Sequence, residues 1–229
     1  MIDKISKLPD SPGTQLQAYR DFRGIQHALN NQMLDQVMQQ DIFLKAAKLL
    51  GVLRKKQLML ESENEINLIV DFAIHDYYVE EKNAVQLFLE EHQSEFSPEE
   101  TQVVQALLNS YTSLFAVEAV DPRNFTVELQ DCLNPDLAPV VLTDIGMSQS
   151  FDPEKLLFTR VLTFEKFNIS SGAAFAFDFE IAEVLLKMYT KKLQKFPKLP
   201  EDTKRFLCFF KLYRRYGYEV GEKSIEDGW

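Results

Sequence analysis

The chain has 229 residues, of which 45% are hydrophobic and 26% charged, a composition that excludes a disordered protein and provides for a buried core. No apolar run approaches the roughly 20 residues that span a bilayer, and the first residues lack the apolar stretch of a signal peptide. The net charge of −10 and the two cysteines, which form neither a disulfide framework nor a metal knuckle, predict an acidic cytoplasmic protein.

The N-terminal part of the chain predicts a helix that follows a short arm. Two prolines and a glycine within residues 1–13 predict that this arm is unstructured. Apolar residues then follow helical spacing from about Gln15 to Leu50. Gly51 is suited to cap the end of this helix, because glycine adopts the left-handed conformation that a C-terminal cap requires.

Further helices are predicted up to about residue 110. Ser62 and Glu65 have the spacing of a capping box, in which the serine accepts from a backbone N–H and the glutamate reaches back. Another helix is expected over 82–93. The strongest signal is Ser97-Pro98-Glu99-Glu100, which places a serine cap, a proline and a glutamate where a helix begins.

Near Leu114 the spacing of the apolar residues changes from a helical period to an alternation, which predicts strands. The run Asp121-Pro122-Arg123-Asn124 separates two such segments and predicts a tight reversal between antiparallel strands. About five or six short strands are expected over 113–178. They predict a small antiparallel sheet or a partial barrel.

Ser170-Ser171-Gly172 is the run that most resembles part of an active site. A nucleophile elbow needs the pattern G-x-S-x-G between a strand and a helix, and a phosphate-binding loop needs several glycines. Neither pattern is present in this run. The run is therefore predicted to be the short connection of a hairpin between the segments VLTFEKFNI and AAFAFDF.

Helical spacing returns from about Asp178 to Lys195 and again from about Glu201 to Tyr216. The second of these helices carries one aromatic side, formed by Phe206, Phe209, Phe210 and Tyr213. The chain as a whole predicts an α+β fold with an N-terminal helical layer, the central sheet or partial barrel, and C-terminal helices.

The predicted organisation is one compact unit. Its parts are a helical region over 1–112, an antiparallel β region over 113–178, C-terminal helices over 179–216 and a tail over 217–229.

Positive charge is concentrated in residues 186–215, which carry +8 while the remainder of the chain carries −18. A basic face of this kind suits a nucleic acid or another anion. The aromatic residues of the segment recur at helical spacing, however, and are expected to pack into the core rather than to stack on bases. The candidate binding residues of this face are Lys191, Lys192, Lys204, Arg205, Arg214 and Arg215.

Asp71, His75 and Asp76 form the most metal-like pattern in the chain. Asp71 and His75 lie one helical turn apart, the spacing that two ligands on one helix need. A metal site of the His-Asp type needs more histidines, and His27 and His92 stand in unrelated contexts. A hydrogen-bonded or exposed pair on a packed helix is therefore the preferred interpretation. No metal ligand, cofactor or catalytic residue is predicted.

Arg160 lies within an apolar strand segment, where burial of its charge requires a partner. A structural salt bridge to a carboxylate on a neighbouring strand is predicted, with Asp131, Asp144 and Glu128 as the candidates. Binding of an anionic ligand is the alternative. The candidate polar cluster of the chain consists of Asp71, His75, Asp76 and Arg160.

Several segments between about residues 50 and 178 resemble a loosely defined family of uncharacterised bacterial proteins that are often found with a SEC-C zinc motif. The segments that carry the resemblance are LLG at 49–51, IVDFAIHDYY at 69–78, FSPEETQVVQALLNSYTSLFAVEAVDP at 96–122, VELQDCL at 127–133 and LLFTRVLTF at 156–164. The SEC-C motif itself, a C-x-C pair with later cysteine or histidine ligands, is absent, so no zinc is inherited from it. The resemblance implies a fold rather than an activity, and it attaches no catalytic residue to these segments.

The expected function is that of a bacterial interaction or scaffold protein without enzymatic activity. Its partner is an unknown protein or a second copy of the chain, joined through regions of opposite charge. The alternative is an accessory protein that binds nucleic acid or another anion through residues 186–215. No membrane partner is expected, and nucleic acid is the less favoured of these partners.

Overall fold

A computed structural model describes residues 12–39 and 41–220, which adopt the predicted α+β fold. The helices are α1 (Pro12–Gln39), α2 (Ile42–Leu50), α3 (Asn64–His75), α4 (Ala84–His92), α5 (Pro98–Leu108), α6 (Ile145–Ser150), α7 (Ala182–Leu193) and α8 (Glu201–Tyr216). The strands are β1 (Leu53–Arg54), β2 (Gln57–Leu58), β3 (Tyr111–Asp121), β4 (Thr126–Asp131), β5 (Val140–Thr143), β6 (Lys155–Thr163), β7 (Asn168–Asp178) and β8 (Tyr218–Glu219).

The strands from β3 to β7 close into a small barrel. Antiparallel pairing gives the order β5-β4-β3-β6-β7, and β8 extends the sheet beyond β7. A parallel bridge between Leu142 and Asn168 joins β5 to β7, and Asn168 Nδ2 donates to the Val141 carbonyl at 3.0 Å. This connectivity, with the short helix α6 between β5 and β6, is that of an OB-fold barrel. The predicted small sheet or partial barrel is therefore confirmed.

The two sides of the barrel wall belong to different cores, because successive side chains of a strand point to opposite faces. The interior is filled by Phe115, Val117, Val127, Leu129, Leu142, Met147, Leu157, Val161 and Ala174. Met147 is supplied by α6, whose first turn is capped by the Asp144 carboxylate accepting from the Met147 N–H at 2.9 Å. The outer side of β3, β6 and β7 packs against the helices in a second, larger core.

Aromatic rings dominate the contact between the barrel and α8. The Phe158 ring on β6 stacks on the Phe175 ring of β7 at 4.8 Å between centroids, and it lies 4.9 Å from the Phe209 ring. Phe206 and Tyr213 are also buried on this side of α8. The predicted aromatic face of the last helix is therefore confirmed as a core-packing face.

Three local predictions from the sequence are confirmed. Ser97 Oγ accepts from the Glu100 N–H at 3.1 Å, and the Glu100 carboxylate accepts from the Ser97 N–H at 2.8 Å. Gly51 ends α2 in the left-handed conformation with φ of 86°. The turn after Asp121 joins β3 and β4 as an antiparallel pair.

The helical pattern from Gln15 to Leu50 is confirmed, and it forms two helices because Asp41 adopts a left-handed conformation with φ of 55° between them. Another local prediction is wrong. The predicted box at Ser62 is not formed. Helix α3 begins only at Asn64, and Glu65 accepts from the Glu61 N–H at 2.9 Å, upstream of the serine.

The prediction for Ser170-Ser171-Gly172 is also wrong, because this run lies inside β7 and the hairpin turn occupies 164–167. The ladder between β6 and β7 steps from Thr159–Ala174 to Val161–Ser170, so the intervening residues bulge opposite Arg160. Gly172 provides the positive φ of 96° that the bulge adopts.

Helix α1 uses the polar groups that this bulge leaves available. Gln26 Nε2 donates to the Ser171 carbonyl at 3.0 Å, and Arg23 Nη2 donates to Ser170 Oγ at 3.3 Å. Ser170 Oγ in turn donates to Asp144 Oδ2 at 2.9 Å. The serine that resembled a nucleophile is therefore part of the contact that joins α1 to the barrel.

The predictions for the two ends of the chain are tested only in part. The arm expected over 1–13 lies outside the described residues up to residue 11, and its last two residues belong to α1. The tail was expected from residue 217, but Tyr218 pairs with Ala176 of β7, and residues 221–229 lie outside the described part. Among the described helices, none has the length and apolarity to cross a membrane.

We expect Phe158→Ala to lower the free energy of unfolding by about 3–5 kcal/mol, because truncation leaves a cavity between the barrel and α8. Phe179→Ala is the matched control, since Phe179 is 52% exposed, and we expect it to change stability by less than about 0.5 kcal/mol. Urea unfolding followed by circular dichroism measures both. Equal losses in the two variants would contradict the assignment of Phe158 to the central packing contact.

Candidate functional site: a buried ion cluster and a lysine face

Arg160 is a charged side chain in the interior of the protein, with 2% of its surface exposed. Its Nε donates to Asp71 Oδ2 at 3.1 Å, and its Nη2 donates to Asp76 Oδ2 at 2.6 Å. Its Nη1 donates to Ser110 Oγ at 3.4 Å. Because a buried guanidinium is costly without partners, the two carboxylates account for its place between the sheet and the helices.

Two elements, β6 and α3, position these groups. Arg160 follows the alternation of β6 and lies on the helix-facing side with Phe158. Asp71 lies within α3, and Asp76 is the C-cap residue of the same helix. Thr203, in the first turn of α8, donates its hydroxyl to the Asp76 carbonyl. The ion cluster, defined as Asp71, His75, Asp76 and Arg160, therefore joins β6, α3 and the start of α8.

The predicted partners of Arg160 are wrong, although the prediction of a structural salt bridge is right. The Asp131 carboxylate accepts from Ser113 Oγ at 2.6 Å and from backbone N–H groups of its own turn. The Asp144 carboxylate caps α6. Glu128 lies on β4, which pairs with β3 and β5 and is not adjacent to β6. The sequence argument considered only neighbouring strands, whereas Arg160 points out of the barrel toward α3.

His75 is the least satisfied member of the ion cluster. It is 3% exposed, and its Nε2 lies 4.0 Å from Asp71 Oδ1, too far for the predicted hydrogen bond. Neither ring nitrogen has a hydrogen-bond partner among the described residues. Its backbone carbonyl accepts from Asn83 Nδ2 at 2.7 Å, which ties the end of α3 to the start of α4.

Asp71 and Asp76 share the single guanidinium of Arg160, so the ion cluster has a net negative charge when both carboxylates are ionised. Burial raises the pKa of Asp76 to about 7, and the neighbouring Asp71 adds to this effect while Arg160 opposes it. Burial and the charge of Arg160 lower the pKa of His75 to about 3, so its imidazole is neutral. Although burial alone would lower it, the two aspartates raise the pKa of Arg160.

The ion cluster can bind a proton on the carboxylate of Asp76, a residue that is 1% exposed. No group of three histidine, cysteine, aspartate or glutamate side chains is placed to hold a metal ion within residues 12–39 and 41–220. The four residues are brought together as neighbours in the core. Their geometry is that of a connection between layers.

The six candidate residues of the basic segment are not brought together on one surface. Arg214 Nε lies 2.9 Å from Glu65 Oε1 and Arg214 Nη2 lies 3.0 Å from Glu61 Oε1, so this side chain joins α8 to α3. Arg205 Nη1 donates to the Thr112 carbonyl at 2.8 Å. These two arginines are occupied in packing.

The remaining four candidate residues of the basic segment also differ in their contacts. Lys204 is 9% exposed and forms an ion pair with Glu201. Arg215 lies over the Tyr216 ring at 5.2 Å, at the far end of α8. Among the described residues, Lys191, Lys192 and Arg215 are the members of the predicted set without a carboxylate partner within 4.0 Å.

A different set of lysines does come together where α7 and α8 pack. The pKa of Lys211 is lowered by burial and by the nearby charges of Lys192 and Lys195. Lys211 Nζ also lies 4.9 Å from the centroid of the Phe196 ring. We define the lysine face as Lys191, Lys192, Lys195, Lys198 and Lys211. Within the described residues, no carboxylate lies within 4.0 Å of these five ammonium groups.

An acidic surface lies on another part of the molecule, around α4 and α5. Residues 79–100 contain seven glutamates and one lysine, Lys82, which pairs with Glu90 at 2.7 Å. We define the glutamate face as Glu80, Glu81, Glu90, Glu91, Glu95, Glu99 and Glu100. Six of these side chains are exposed and Glu100 is partly buried. The charge separation seen along the sequence therefore places lysines at α7, α8 and their connection, and exposed glutamates on and beside α4 and α5.

A family model with the description "Family of unknown function (DUF7986)" matches residues 14–223. The chain belongs to the DUF7986 family. No curated protein and no solved structure matches it. The DUF7986 match covers the barrel, the ion cluster and both charged faces. It gives no information on the resemblance to proteins associated with SEC-C motifs, which stays a prediction.

Three members of the lysine face in this DUF7986 protein, Lys195, Lys198 and Lys211, were missed as site residues. The signal that identifies Lys195 and Lys211 is their distance from the acids of the segment, since Glu201 and Asp202 are the only acids in residues 186–215. Both of these acids pair within their own helix, with Lys204 and Arg205. Ranking the basic residues by distance from these two acids would have favoured Lys195 over Lys204.

We expect Arg160→Met to destabilise the protein by about 3–5 kcal/mol, because it leaves two carboxylates buried without a cation. Adding Asp71→Asn and Asp76→Asn to this variant should restore part of the loss, since both orphan charges are then removed. Arg123→Met, in the exposed turn after β3, is the matched control. Urea unfolding gives the three values, and a triple variant less stable than Arg160→Met would contradict the ion-pair account.

The pH dependence of stability should separate Asp76 from His75. The raised pKa of Asp76 stabilises the fold below pH 3.8, and this contribution is lost as the pH rises to about 7. The lowered pKa of His75 stabilises the fold above pH 6.5, and this contribution is lost as the pH falls to about 3. The two effects oppose each other in the wild-type protein.

We therefore expect opposite slopes in two variants between these limits. In Asp76→Asn the free energy of unfolding should rise with pH relative to wild type, and in His75→Gln it should fall, each by up to about 1 kcal/mol per pH unit. Urea unfolding at several pH values within the window measures both slopes. Three parallel curves would show that neither group titrates differently in the folded and unfolded states.

Proposed function

We propose that this protein acts by binding an acidic protein surface through its lysine face, without enzymatic activity. The observation that carries the proposal is that Lys192, Lys195 and Lys211 lie close enough for their charges to interact where α7 and α8 pack, with Lys191 and Lys198 near them in the sequence, and that none of the five has a carboxylate partner in the described part of the chain. Like charges held together repel one another, and this repulsion is relieved when an acidic surface covers them.

The composition of the chain makes this arrangement unusual. Acidic residues outnumber basic ones by 35 to 25, yet among the described residues no carboxylate lies within 4.0 Å of an ammonium group of the lysine face. Other basic residues of the same segment do have acidic partners, as the Arg214 pairs with Glu61 and Glu65 illustrate. The lysine face is therefore left with a positive charge that favours association with an acidic partner.

The partner whose chemistry is available on the molecule itself is a second copy of the chain. The glutamate face of one copy has the charge, the exposure and the number of side chains to complement the lysine face of another. Such electrostatic complementarity promotes association and selects its orientation. The proposal is accordingly an interaction protein that self-associates through its two charged faces.

The alternative, an accessory protein that binds nucleic acid, has less support from the geometry. The aromatic rings of Phe206, Phe210 and Tyr213 are buried, so they offer no stacking platform next to the lysines. The barrel surface that binds oligonucleotides in OB-fold proteins, on its second and third strands, corresponds here to β4 and β5. That surface carries the acidic side chain of Glu128. The β6–β7 turn of the barrel is in contact with α1, because its Phe164 ring lies 4.9 Å from the Phe22 ring.

We expect the protein to self-associate at low salt and to dissociate as ionic strength rises, because the Debye length falls from about 10 Å at 0.1 M to about 3 Å at 1 M. Light scattering coupled to size-exclusion chromatography measures the mass. Reversing three charges of the lysine face, with Lys191→Glu, Lys192→Glu and Lys195→Glu, should leave a monomer at low salt. The same change in charge at Arg54, Lys55 and Lys56 is the matched control and should not alter the mass.

A charge-swap mixture makes the test specific. Glu90→Lys, Glu91→Lys and Glu95→Lys in one protein should also abolish self-association, and mixing it with the lysine-face variant should restore association between the two. A salt-independent monomer for the unaltered chain would overturn the proposal. Titration of labelled single-stranded RNA and duplex DNA, followed by fluorescence anisotropy, tests the alternative. Tight, salt-sensitive binding that the lysine-face variant loses would favour nucleic acid instead.

A further inference from the structure

The two halves of helix α1 are held in different ways. The second half places three fully buried apolar side chains in the large core, those of Leu29, Met33 and Val37. Within the stretch 16–23 two apolar side chains are buried, those of Ala18 and Tyr19. Segments with few buried apolar contacts open locally at a lower free energy than the whole fold. We define residues 16–23 as the strap.

Gly24 joins the strap to the rest of the helix. It is exposed, and a Cβ at this position would meet no described atom of a neighbouring element within 4 Å, so packing does not require a glycine here. A glycine inside a helix weakens it, because the unfolded chain has more conformational freedom there than it would have with alanine. Two residues later Gln26 is fully buried and donates to the Ser171 carbonyl. The firmly held half of α1 therefore begins directly after Gly24.

The strap covers the place where the barrel closes. Strand β5 meets β7 there through a parallel bridge between Leu142 and Asn168. Arg23 contacts both sides of this junction, since its Nη2 donates to Ser170 Oγ at 3.3 Å and lies 3.5 Å from Asp144 Oδ2, directly after β5. Its Nη1 donates to the Ser170 carbonyl.

Phe22 adds an aromatic contact beside Arg23. Its ring lies edge-on to two rings of the β6–β7 turn, 4.9 Å from Phe164 and 5.6 Å from Phe167. These two rings stack on each other at 5.0 Å. Under the strap the barrel therefore presents two aromatic rings together with a carbonyl, a hydroxyl and a carboxylate. We define this set, Asp144, Phe164, Phe167 and Ser170, as the notch.

We propose that the strap is an autoinhibitory cover, which opens at Gly24 and allows the notch to bind a peptide segment that carries an aromatic residue next to an arginine. The chemistry of the partner follows from the strap itself, in which Phe22 contacts the two rings and Arg23 donates to the oxygen acceptors. A carboxylate among these acceptors favours a guanidinium over a neutral donor. The proposal does not depend on self-association, since no residue of the strap or the notch belongs to either charged face.

Hydrogen exchange of the full chain, measured by NMR at single amides and at a salt concentration that keeps the chain monomeric, tests the opening. We expect the strap amides to exchange at least about a hundredfold faster than the amides of residues 29–38. Gly24→Ala should slow exchange of the strap about fourfold, because alanine favours the helix at the hinge. Equal exchange in the two halves of α1 would overturn the proposal.

Two arginine variants identify the contact that holds the strap closed. Arg23→Gln should accelerate exchange of the strap about tenfold and leave residues 29–38 unchanged, because it removes the charged donor to Ser170 and Asp144. Arg20→Gln is the matched control, since Arg20 is an exposed residue of the same strap, and it should leave exchange unchanged. Equal acceleration in both variants would contradict the role of Arg23.

A fluorescein-labelled peptide with the sequence of residues 16–24 tests the notch as a binding site. Fluorescence anisotropy should show that the Arg23→Gln chain binds it about tenfold more tightly than the unaltered chain, and that the Gly24→Ala chain binds it most weakly, because apparent affinity follows the open fraction. The same peptide with alanine in place of Phe22 and Arg23 should bind at least about tenfold more weakly. Affinity that does not follow the opening of the strap, in variants that circular dichroism shows to be folded, would overturn the notch as a binding site.

Discussion

The pairing of Arg160 with two aspartates is the interaction on which the arrangement of layers depends. It joins a strand of the barrel to α3, and through the Asp76 carbonyl it reaches the hydroxyl of Thr203 at the start of α8. Apolar packing alone is tolerant of small rotations between layers, whereas a guanidinium with two fixed acceptors is directional. We infer that the ion cluster determines the orientation of the helices on the barrel. It does so although its two carboxylates share only one cation.

The helical layer also covers part of the barrel surface that could otherwise bind a ligand. In this chain the outer side of β3, β6 and β7 is covered by helices, and α1 lies against the β6–β7 turn through its Phe22 ring. The fold therefore resembles an OB-fold barrel in connectivity, while the loops and faces that such barrels use for ligands are partly occupied. The proposed binding surface for an acidic partner is one that the helices themselves create, between α7 and α8.

The fold class, the last helix and the helix after Ser97 could be predicted because each rests on a local pattern: a hydrophobic period, or a cap within four residues. The bulge at Gly172 could not, since a serine-glycine run favours a turn locally, and only the partner strand shows that the ladder continues through it. The partners of Arg160 were missed for a similar reason, because 89 and 84 residues separate it from Asp71 and Asp76. Pairing across such distances depends on how layers stack, which no local pattern encodes.

The two charged faces lie on different parts of one molecule, around α7 and α8 and around α4 and α5. If two copies meet through one such contact only, the proposed contact is heterologous, and it does not close on itself as a twofold dimer does. Each added copy presents a new unpaired face of either sign, and growth ends only if the rotation between neighbours completes a ring. The number of copies would then be determined by the angle between the two faces and by protein concentration, and an open assembly would have one acidic and one basic end.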